Sequence, residues 1–276
     1  MALSVLLTEL LFIFYPLTVR QKGLSLIQER AEMAFYEDFS RVYDQVMDQE
    51  LYEQWLDFTK RHLPKETKSV FELACGSGAL SVRLAQEGYE VTGLDISEEM
   101  LTLASKKARQ AGYKLEFTAG DMRDLSGLGK FDAVTCYSDS LCYLENLNEV
   151  QATFDGVFEI LNEGGTFIFD VHSTHQVDEV FPNYSYHENA EDFAFLWDSF
   201  EGEVPHSIVH ELSFFIQGED GRFTRKDEVH EERTYPIDDY LAHLATAGFK
   251  EAIVCADFTD EAPSKESARW FFVCKK

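Results

Sequence analysis

Positive charge is scarce in this sequence. The 276 residues include 24 lysines and arginines against 50 aspartates and glutamates, which gives a formal net charge of −26 at pH 7. A field of that sign repels the phosphate backbone of DNA and RNA and opposes long-range steering towards it. We therefore expect no nucleic-acid partner, unless a local basic patch overrides the overall charge.

Cysteine is also sparse. The five cysteines are odd in number, mostly lie inside apolar runs and form no Cys-x-x-Cys pair; they are Cys75, Cys136, Cys142, Cys255 and Cys274. A disulfide framework is therefore not expected, and we predict reduced, buried cysteines in a cytoplasmic protein. No metal-ligand pattern is recognised in the sequence, so no metal is predicted.

Long apolar runs are missing except near the amino end. Residues 2–19 are apolar but contain Glu9 and Pro16, and no lysine or arginine precedes them. A signal peptide needs a basic start and a small-residue cleavage site, and a membrane span needs about 20 apolar residues. We treat residues 1–32 as an extension outside the functional domain. A membrane anchor and an ordered extension are the alternatives, and membrane contact is expected only if the extension is real.

The remaining chain is organised around one stretch. Residues 70–75 read as a buried strand that runs into a turn with Gly76 and Gly78, and an apolar helix pattern begins at Ala79. A strand, a glycine turn and a helix present backbone N–H groups to a nucleotide-like ligand. Because the two glycines lack a Cβ atom, the backbone can turn sharply there and a ligand can approach closely.

The spacing of this motif argues against a dinucleotide ligand. The fingerprint Gly-x-Gly-x-x-Gly places its third glycine where this chain has Ser81. Glu72 stands four residues before Gly76, and a carboxylate there suits a cationic ligand better than a pyrophosphate. A nicotinamide-dependent dehydrogenase is therefore the less favoured interpretation.

Two further acids follow the next two predicted strands. Asp95 ends the strand pattern of residues 90–95, where a carboxylate can accept hydrogen bonds from ribose hydroxyls. Asp121 lies in the loop after the third strand pattern, beside the apolar Met122. One aspartate in a turn is common everywhere. The stronger signal is the ordered set that these two acids form with Glu72, each directly after a strand of one sheet.

The pattern Glu72-x-Ala74-x-Gly76-x-Gly78, followed by Asp95 and Asp121, resembles motif I and its successors in the class I S-adenosylmethionine-dependent methyltransferases. The resemblance covers about residues 33–276. It implies an α/β fold with a Rossmann-like seven-stranded sheet whose last strand is antiparallel, and it implies S-adenosylmethionine as the cofactor. The implied cofactor-binding residues are Glu72, Ala74, Cys75, Gly76, Gly78, Asp95, Ile96, Asp121, Met122 and Tyr137, with Tyr36 and Tyr43 of an earlier aromatic stripe as covers for the methionine moiety or its methyl group.

The chain is predicted to hold one α/β domain with an insertion. Residues 33–173 form the cofactor-binding core. Residues 174–235 carry strand patterns with a hairpin at 218–221, and we predict an inserted antiparallel β lid that caps the substrate. Residues 236–276 add a helix and a pair of antiparallel strands that complete the core sheet.

Candidate catalytic groups lie where the fourth and fifth predicted strands end, because ligands of open α/β sheets bind beyond the carboxyl ends of the strands. Tyr137 and Asp139 follow the fourth strand, and His172 follows the fifth. We nominate these three as catalytic, with a general base needed only where the acceptor carries a proton. The further candidates are His175, and His187 and Trp197 of the lid.

The predicted reaction is transfer of a methyl group from S-adenosylmethionine to a nitrogen or oxygen of a small-molecule acceptor, by a monomer or homodimer. The sequence contains neither Asn/Asp-Pro-Pro-Tyr, which is typical of base amino methylation, nor the Pro-Cys pair of carbon-5 pyrimidine methylation. Two alternatives stay open. One is a cofactor-binding sensor or assembly factor without turnover, and the other is an RNA methyltransferase that uses a local patch.

Overall fold

The computed structural model describes residues 49–218 and 220–276. The predicted extension at residues 1–32 lies outside the described residues, and so do Tyr36 and Tyr43. Within the described ranges, no helix is both long enough and apolar enough to span a membrane.

Eleven strands and five α-helices make up the described chain. The strands are β1 (Ser69–Leu73), β2 (Glu90–Asp95), β3 (Glu116–Ala119), β4 (Phe131–Cys136), β5 (Leu161–His172), β6 (Ser185–Asn189), β7 (Phe193–Glu201), β8 (Ser207–Gln217), β9 (Phe223–Arg233), β10 (Glu251–Ala256) and β11 (Arg269–Lys275). The helices are α1 (Gln49–His62), α2 (Ala79–Gln86), α3 (Glu98–Gln110), α4 (Leu147–Ile160) and α5 (Ile237–Ala247).

Seven strands form the core sheet, in the order β10-β11-β5-β4-β1-β2-β3. Strands β1 to β5 are parallel to one another, whereas β11 is antiparallel to both β5 and β10. The order turns back on itself at β1 and β4, which is the point where such sheets bind their ligands. The predicted class I sheet, with its closing antiparallel strand, is confirmed.

Local signals in the sequence set the ends of the helices. The Ser97 side chain accepts a hydrogen bond from the Met100 N–H and caps α3, and Asn146 caps α4 in the same way. Gly248 ends α5 with a φ of 113°, a left-handed conformation that glycine adopts easily. These caps fix where each helix meets the edge of the sheet.

Apolar side chains bury both faces of the core sheet. On one face, Phe154 of α4 and Tyr240 of α5 pack against Phe169 and Phe272, whose rings stack with centroids 4.6 Å apart. On the other face, α1 and α2 cover the sheet, and Trp55 is 1% exposed. All five cysteines are free and buried, as predicted. Among the described residues, the result is a three-layer αβα core.

A second sheet, with strand order β6-β7-β8-β9, is inserted between β5 and α5. It is antiparallel throughout, and β7, β8 and β9 match the three predicted lid strands to within one or two residues. Strand β6 was missed, because its five residues are mostly exposed and show no apolar alternation. Phe195 and Phe214 form the apolar centre of this lid, and Met100 of α3 packs against it, so the lid lies over the amino end of α3.

A buried ionic network holds four parts of the core together. The guanidinium of Arg269 in β11 lies 2.5 Å from Asp139 Oδ1 and 2.8 Å from Asp170 Oδ2. Asp170, which is 0% exposed, also accepts hydrogen bonds from the Trp55 indole N–H at 2.7 Å and the Asp139 backbone N–H at 3.1 Å. The network thus ties α1, β5, β11 and the loop after β4 to one another.

Replacing Arg269 tests how much this network contributes to the stability of the fold. We expect Arg269→Gln to lower the free energy of unfolding by about 3–5 kcal/mol, because it removes the guanidinium that both buried carboxylates contact. The matched control, Arg225→Gln, breaks an exposed ion pair with Asp227 at 2.7 Å and is expected to cost less than about 1 kcal/mol. Urea unfolding followed by circular dichroism measures both, and an equal loss in the two variants would contradict the expectation.

Candidate functional site

The turn between β1 and α2 is left-handed at alternate residues. Ala74, Gly76 and Gly78 have φ angles of 51°, 52° and 72°. A Cβ atom at Gly78 would lie 2.8 Å from the Cβ of Ala104 in α3, whereas one at Gly76 would meet nothing within 4 Å. Gly78 is therefore required for the packing of α3 against the turn, and Gly76 faces open space that a ligand can enter.

Asp95 holds this turn to the end of β2. One oxygen of its carboxylate accepts the Gly76 N–H at 2.7 Å, and the other accepts the Ser97 N–H at 2.9 Å. The side chain is nearly buried, with 8% of the residue exposed. Each carboxylate oxygen keeps a second lone pair after these bonds, so Asp95 can still accept hydrogen bonds from a ligand.

Asp121, after β3, is clamped by a neighbouring arginine. Arg123 donates to it from its backbone N–H at 2.9 Å and from its guanidinium at 2.5–3.0 Å, and the same guanidinium lies 3.0 Å from Glu149. Hydrogen bonds from Arg123 hold the pKa of Asp121 below its usual value. The Asp121 carboxylate is therefore an ionised acceptor at the edge of the sheet.

A pocket of about 250 Å³ opens between these two acids. Five of the predicted cofactor residues line it, namely Ala74, Asp95, Ile96, Asp121 and Met122. Its other lining residues are Leu94, Gly120, Arg123, Tyr143, Leu144, Glu145 and Glu149. Carboxylates for hydroxyl and amino groups, together with apolar side chains for a flat ring, fit the adenosine portion of the predicted cofactor.

Glu72 lies beneath the turn rather than on the lining of this pocket. It is 5% exposed, and its carboxylate accepts a hydrogen bond from the hydroxyl of Ser81. Burial raises the pKa of Glu72 to about 8, and the charge of Asp95 adds to this rise, while the Ser81 hydrogen bond opposes it. The carboxyl group therefore takes up a proton when the chain folds near neutral pH.

The raised pKa of Glu72 makes stability depend on pH. Its contribution to folding is fully present below its ordinary pKa of 4.5 and is lost as the pH rises to about 8, because the unfolded chain ionises first. Relative to wild type, Glu72→Gln should gain up to about 1.4 kcal/mol of stability per pH unit across that window. Glu90→Gln, at an exposed position of β2, is the control and should show no such trend. Urea unfolding at several pH values measures the difference, and a flat difference for Glu72→Gln would refute this account.

His172 lies at the end of β5 between two carboxylates. Its Nε2 is 3.2 Å from Asp139 Oδ2 and 3.5 Å from Glu232 Oε2, which comes from β9 of the lid. The edge of the imidazole packs against the ring of Phe181, with centroids 4.9 Å apart. The structure thus brings together two of the predicted catalytic residues and adds Glu232, which was not predicted.

The two carboxylates of this cluster titrate in opposite directions. Burial would raise the pKa of Asp139, but the charges of Arg269 and His172 outweigh burial and hold it below its usual range. Burial raises the pKa of Glu232 to about 7, and the charge of Asp139 adds to the rise. Asp139 is therefore anionic. The cationic groups near Glu232 do not offset the effect of burial on its pKa.

Tyr137 is placed differently from Asp139 and His172. Its hydroxyl is 2.7 Å from that of Thr59, and its ring stacks on Trp55 with centroids 6.2 Å apart. The residue is 5% exposed, and burial raises the pKa of its phenol. It lies in the core under α1 and does not line the pocket between Asp95 and Asp121.

Among the described contacts, none joins the remaining histidine and tryptophan candidates directly to His172, although Trp197 and His172 both pack against Phe181. His187 is exposed on β6, and His175 pairs with Glu179 at 3.5 Å. The indole N–H of Trp197 donates to His210 at 3.1 Å inside the lid. The structure does not bring these residues into the cluster around His172.

Comparison with known proteins adds independent findings. Residues 70–165 match a family model described as "Methyltransferase domain". A Geobacillus sp. (strain WCH70) protein is 43% identical over 245 residues, which is 87% of this chain and 99% of that protein. YqeM of Bacillus subtilis (strain 168) is 42% identical, over 87% of this chain and 97% of its own length. Both relatives carry methyltransferase names that specify no acceptor.

Solved structures agree with the sequence relatives. An S-adenosylmethionine-dependent methyltransferase from Clostridium acetobutylicum ATCC 824 superimposes with a TM-score of 0.74 and 27% identity. The match covers 87% of this chain and 98% of that one. This chain belongs to the class I S-adenosylmethionine-dependent methyltransferase family, and S-adenosylmethionine is its cofactor.

Proposed function

We propose that this methyltransferase transfers the methyl group to a nitrogen or oxygen of a small-molecule acceptor that lies between the core sheet and the lid. The observation that carries the proposal is a direct link between the cofactor pocket and the His172 cluster. Tyr143 lines the pocket, and its hydroxyl lies 2.8 Å from His230 Nδ1 on β9. A hydrogen bond from Tyr143 also lowers the pKa of Glu232 against the larger effect of burial. The two sites are therefore neighbours, and the lid contributes to both.

The roles on the cofactor side follow from the lining of the pocket. Asp95 is proposed to accept the ribose hydroxyls, and Asp121 the exocyclic amino group of adenine. Ile96, which is 75% exposed, and Met122 offer apolar surface to the adenine ring. Gly76 allows close approach at the turn. The predicted contacts of Glu72, Cys75, Gly78, Tyr36, Tyr43 and Tyr137 with the cofactor stay predictions.

The acceptor side needs groups that position an atom and remove its proton. When bound, S-adenosylmethionine supplies an electrophilic methyl group, so an acceptor held in line with it requires little further activation. We assign the loss of an acceptor proton to the cluster of Asp139, His172 and Glu232. Arg269 and Asp170 fix the position of Asp139. We assign Tyr137 a structural role in the core, because its hydroxyl already forms a hydrogen bond with that of Thr59.

The size and charge of the site support a small acceptor. The His172 cluster is buried, with His172 itself 9% exposed beneath the lid. A net charge of −26 opposes a phosphate polymer. Five free, buried cysteines are in keeping with the reducing cytoplasm, which is the proposed location.

A labelling experiment tests the proposed reaction. Purified protein is incubated with methyl-labelled S-adenosylmethionine and with either a metabolite extract or the total RNA of Bacillus subtilis, which encodes a 42% identical relative. Label is expected in the small-molecule fraction. Asp95→Ala should abolish it by weakening cofactor binding, and His172→Ala should lower it about 100-fold, which is the scale of proton-transfer catalysis. His187→Ala, a histidine on the exposed strand of the lid, is the control and should behave as wild type.

Each other outcome has a distinct meaning. Label confined to RNA would replace the proposal with an RNA methyltransferase. Intact cofactor binding without label in either fraction would favour a sensor or assembly factor. Undiminished labelling by His172→Ala would remove the assigned role of the cluster.

A further inference from the structure

Three side chains from three separate parts of the chain converge beneath the lid. Asp139 comes from the loop after β4, His172 from the end of β5 and Glu232 from β9. One imidazole nitrogen and one oxygen from each carboxylate all lie within 4.8 Å of one another. We call this set the buried triad. One nitrogen and two oxygens are a donor set that divalent transition metals bind.

Asp139 is already oriented for such a role. Its Oδ1 is held by Arg269 at 2.5 Å, and its Oδ2 is thereby directed at His172. Metal-binding carboxylates are commonly fixed in this way by a partner on their other oxygen. The arginine therefore places the carboxylate without occupying the oxygen that faces the triad.

Glu232 supplies an independent sign of a missing partner. The residue is 6% exposed, and its Oε2 has no hydrogen-bond partner among the described residues. His172 Nε2 approaches this oxygen only to 3.5 Å, beyond ordinary hydrogen-bond length, and the hydrogen bond that Glu232 receives from Tyr143 leaves Oε2 without a partner. A single imidazole nitrogen cannot satisfy Asp139 and Glu232 together, and it lies closer to Asp139 at 3.2 Å. A buried carboxylate oxygen in this state is costly unless a ligand completes it.

The local charge points to a divalent cation. The carboxylates of Asp139, Asp170 and Glu232 meet the single guanidinium of Arg269 in this part of the described structure. One divalent ion between His172 and the two triad carboxylates would contact the unpartnered Glu232 Oε2 together with His172 Nε2 and Asp139 Oδ2.

We propose that the buried triad binds one divalent transition-metal ion, Zn²⁺ or Mn²⁺, through His172 Nε2, Asp139 Oδ2 and Glu232 Oε2. Ligand atoms around a tetrahedral zinc ion with bonds of about 2.0–2.1 Å lie about 3.3 Å apart. The two separations from His172 Nε2, 3.2 Å and 3.5 Å, already match that spacing. No metal was predicted from the sequence, and this inference replaces that prediction.

This inference adds a metal ion to the proposed function. It rests on the proposed function only for the place where the acceptor binds. An ion at the triad keeps open positions that the acceptor oxygen or nitrogen can occupy, and metal binding lowers the pKa of such a group. The acceptor proton then passes to solvent as the bond from carbon to the acceptor forms and the bond from carbon to sulfur breaks, with that electron pair retained by sulfur. His172 acts in this state as a ligand that positions the ion. The ion also links the lid to the core, because Glu232 belongs to β9.

Metal binding is measured without any acceptor. The full chain is stripped with a chelator, dialysed separately against Zn²⁺, Mn²⁺ or Mg²⁺, and analysed by mass spectrometry for metal content. We expect one Zn²⁺ or Mn²⁺ per chain and at least tenfold weaker binding in Glu232→Gln and in His172→Gln. Glu228→Gln is the matched control, because Glu228 lies on the same strand and pairs with Lys226 and His230 instead. Visible absorption of bound Co²⁺ should show a four-coordinate site in wild type and lose that signature in Glu232→Gln.

Two outcomes would overturn the proposal. One is the absence of stoichiometric binding of Zn²⁺ or Mn²⁺ by wild type, and the other is equal binding by wild type and Glu232→Gln. Melting curves check that each variant is folded, and His172→Gln decides the matter if Glu232→Gln does not fold. Binding of S-adenosylmethionine is measured on the same samples. A chain that binds the cofactor but no metal leaves the proposed function standing, with His172 free to act as a base.

Discussion

The buried contact between Arg269 and two aspartates is the constraint on which the rest of the site depends. Asp170 cannot be stable as a fully buried anion without the guanidinium at 2.8 Å and the hydrogen bond from Trp55. Because the same guanidinium holds Asp139 at 2.5 Å, the requirement for charge balance fixes the loop after β4. That loop then sets the distance between Asp139 and His172. A requirement of stability in the core thus determines the geometry of the proposed acceptor side.

The proposed cofactor side is built on a different principle. Its acids are placed by local chain geometry, since Asp95 bonds the backbone N–H groups of Gly76 and Ser97, and Asp121 bonds Arg123 two residues further on. These contacts lie at the carboxyl ends of the parallel strands, where such sheets bind their ligands. The two sides meet at Tyr143, which lines the pocket and contacts β9 of the lid. Lid position and cofactor pocket are therefore coupled through one side chain.

The turn after β1 and the acids Asp95 and Asp121 could be picked out from the sequence because their signal is local. Strand, glycine turn and acid lie within a few residues of one another, and the structure places both acids on one pocket, while their contacts with the cofactor stay predictions. The seven-stranded sheet with its closing antiparallel strand was expected from the resemblance to the class I methyltransferases, and the structure confirms it. Strand β6 escaped prediction because a mostly exposed strand carries no apolar alternation.

The cluster around His172 could be predicted only in part, because it depends on long-range packing. His172 and Asp139 stand at strand ends, which is why the sequence nominates them, and their catalytic role stays a prediction. Glu232 lies in a strand where charged residues recur from Arg225 to Arg233, and no spacing in the sequence marks it out. Its burial arises from the way in which the lid meets β5. Tyr137 is the opposite case. Its position directly after β4 suggests a place in the site, but contacts with Thr59 and Trp55 hold its side chain in the core.

Calorimetric titration of the purified chain with S-adenosylmethionine, S-adenosylhomocysteine and NAD, repeated on Asp95→Ala, tests the central claim most directly. The account predicts one binding site per chain for each of the two adenosyl ligands, no binding of NAD, and loss of both adenosyl ligands in a variant that still folds. Binding of NAD alone, or undiminished binding of the adenosyl ligands by Asp95→Ala, would contradict the assignment of this pocket.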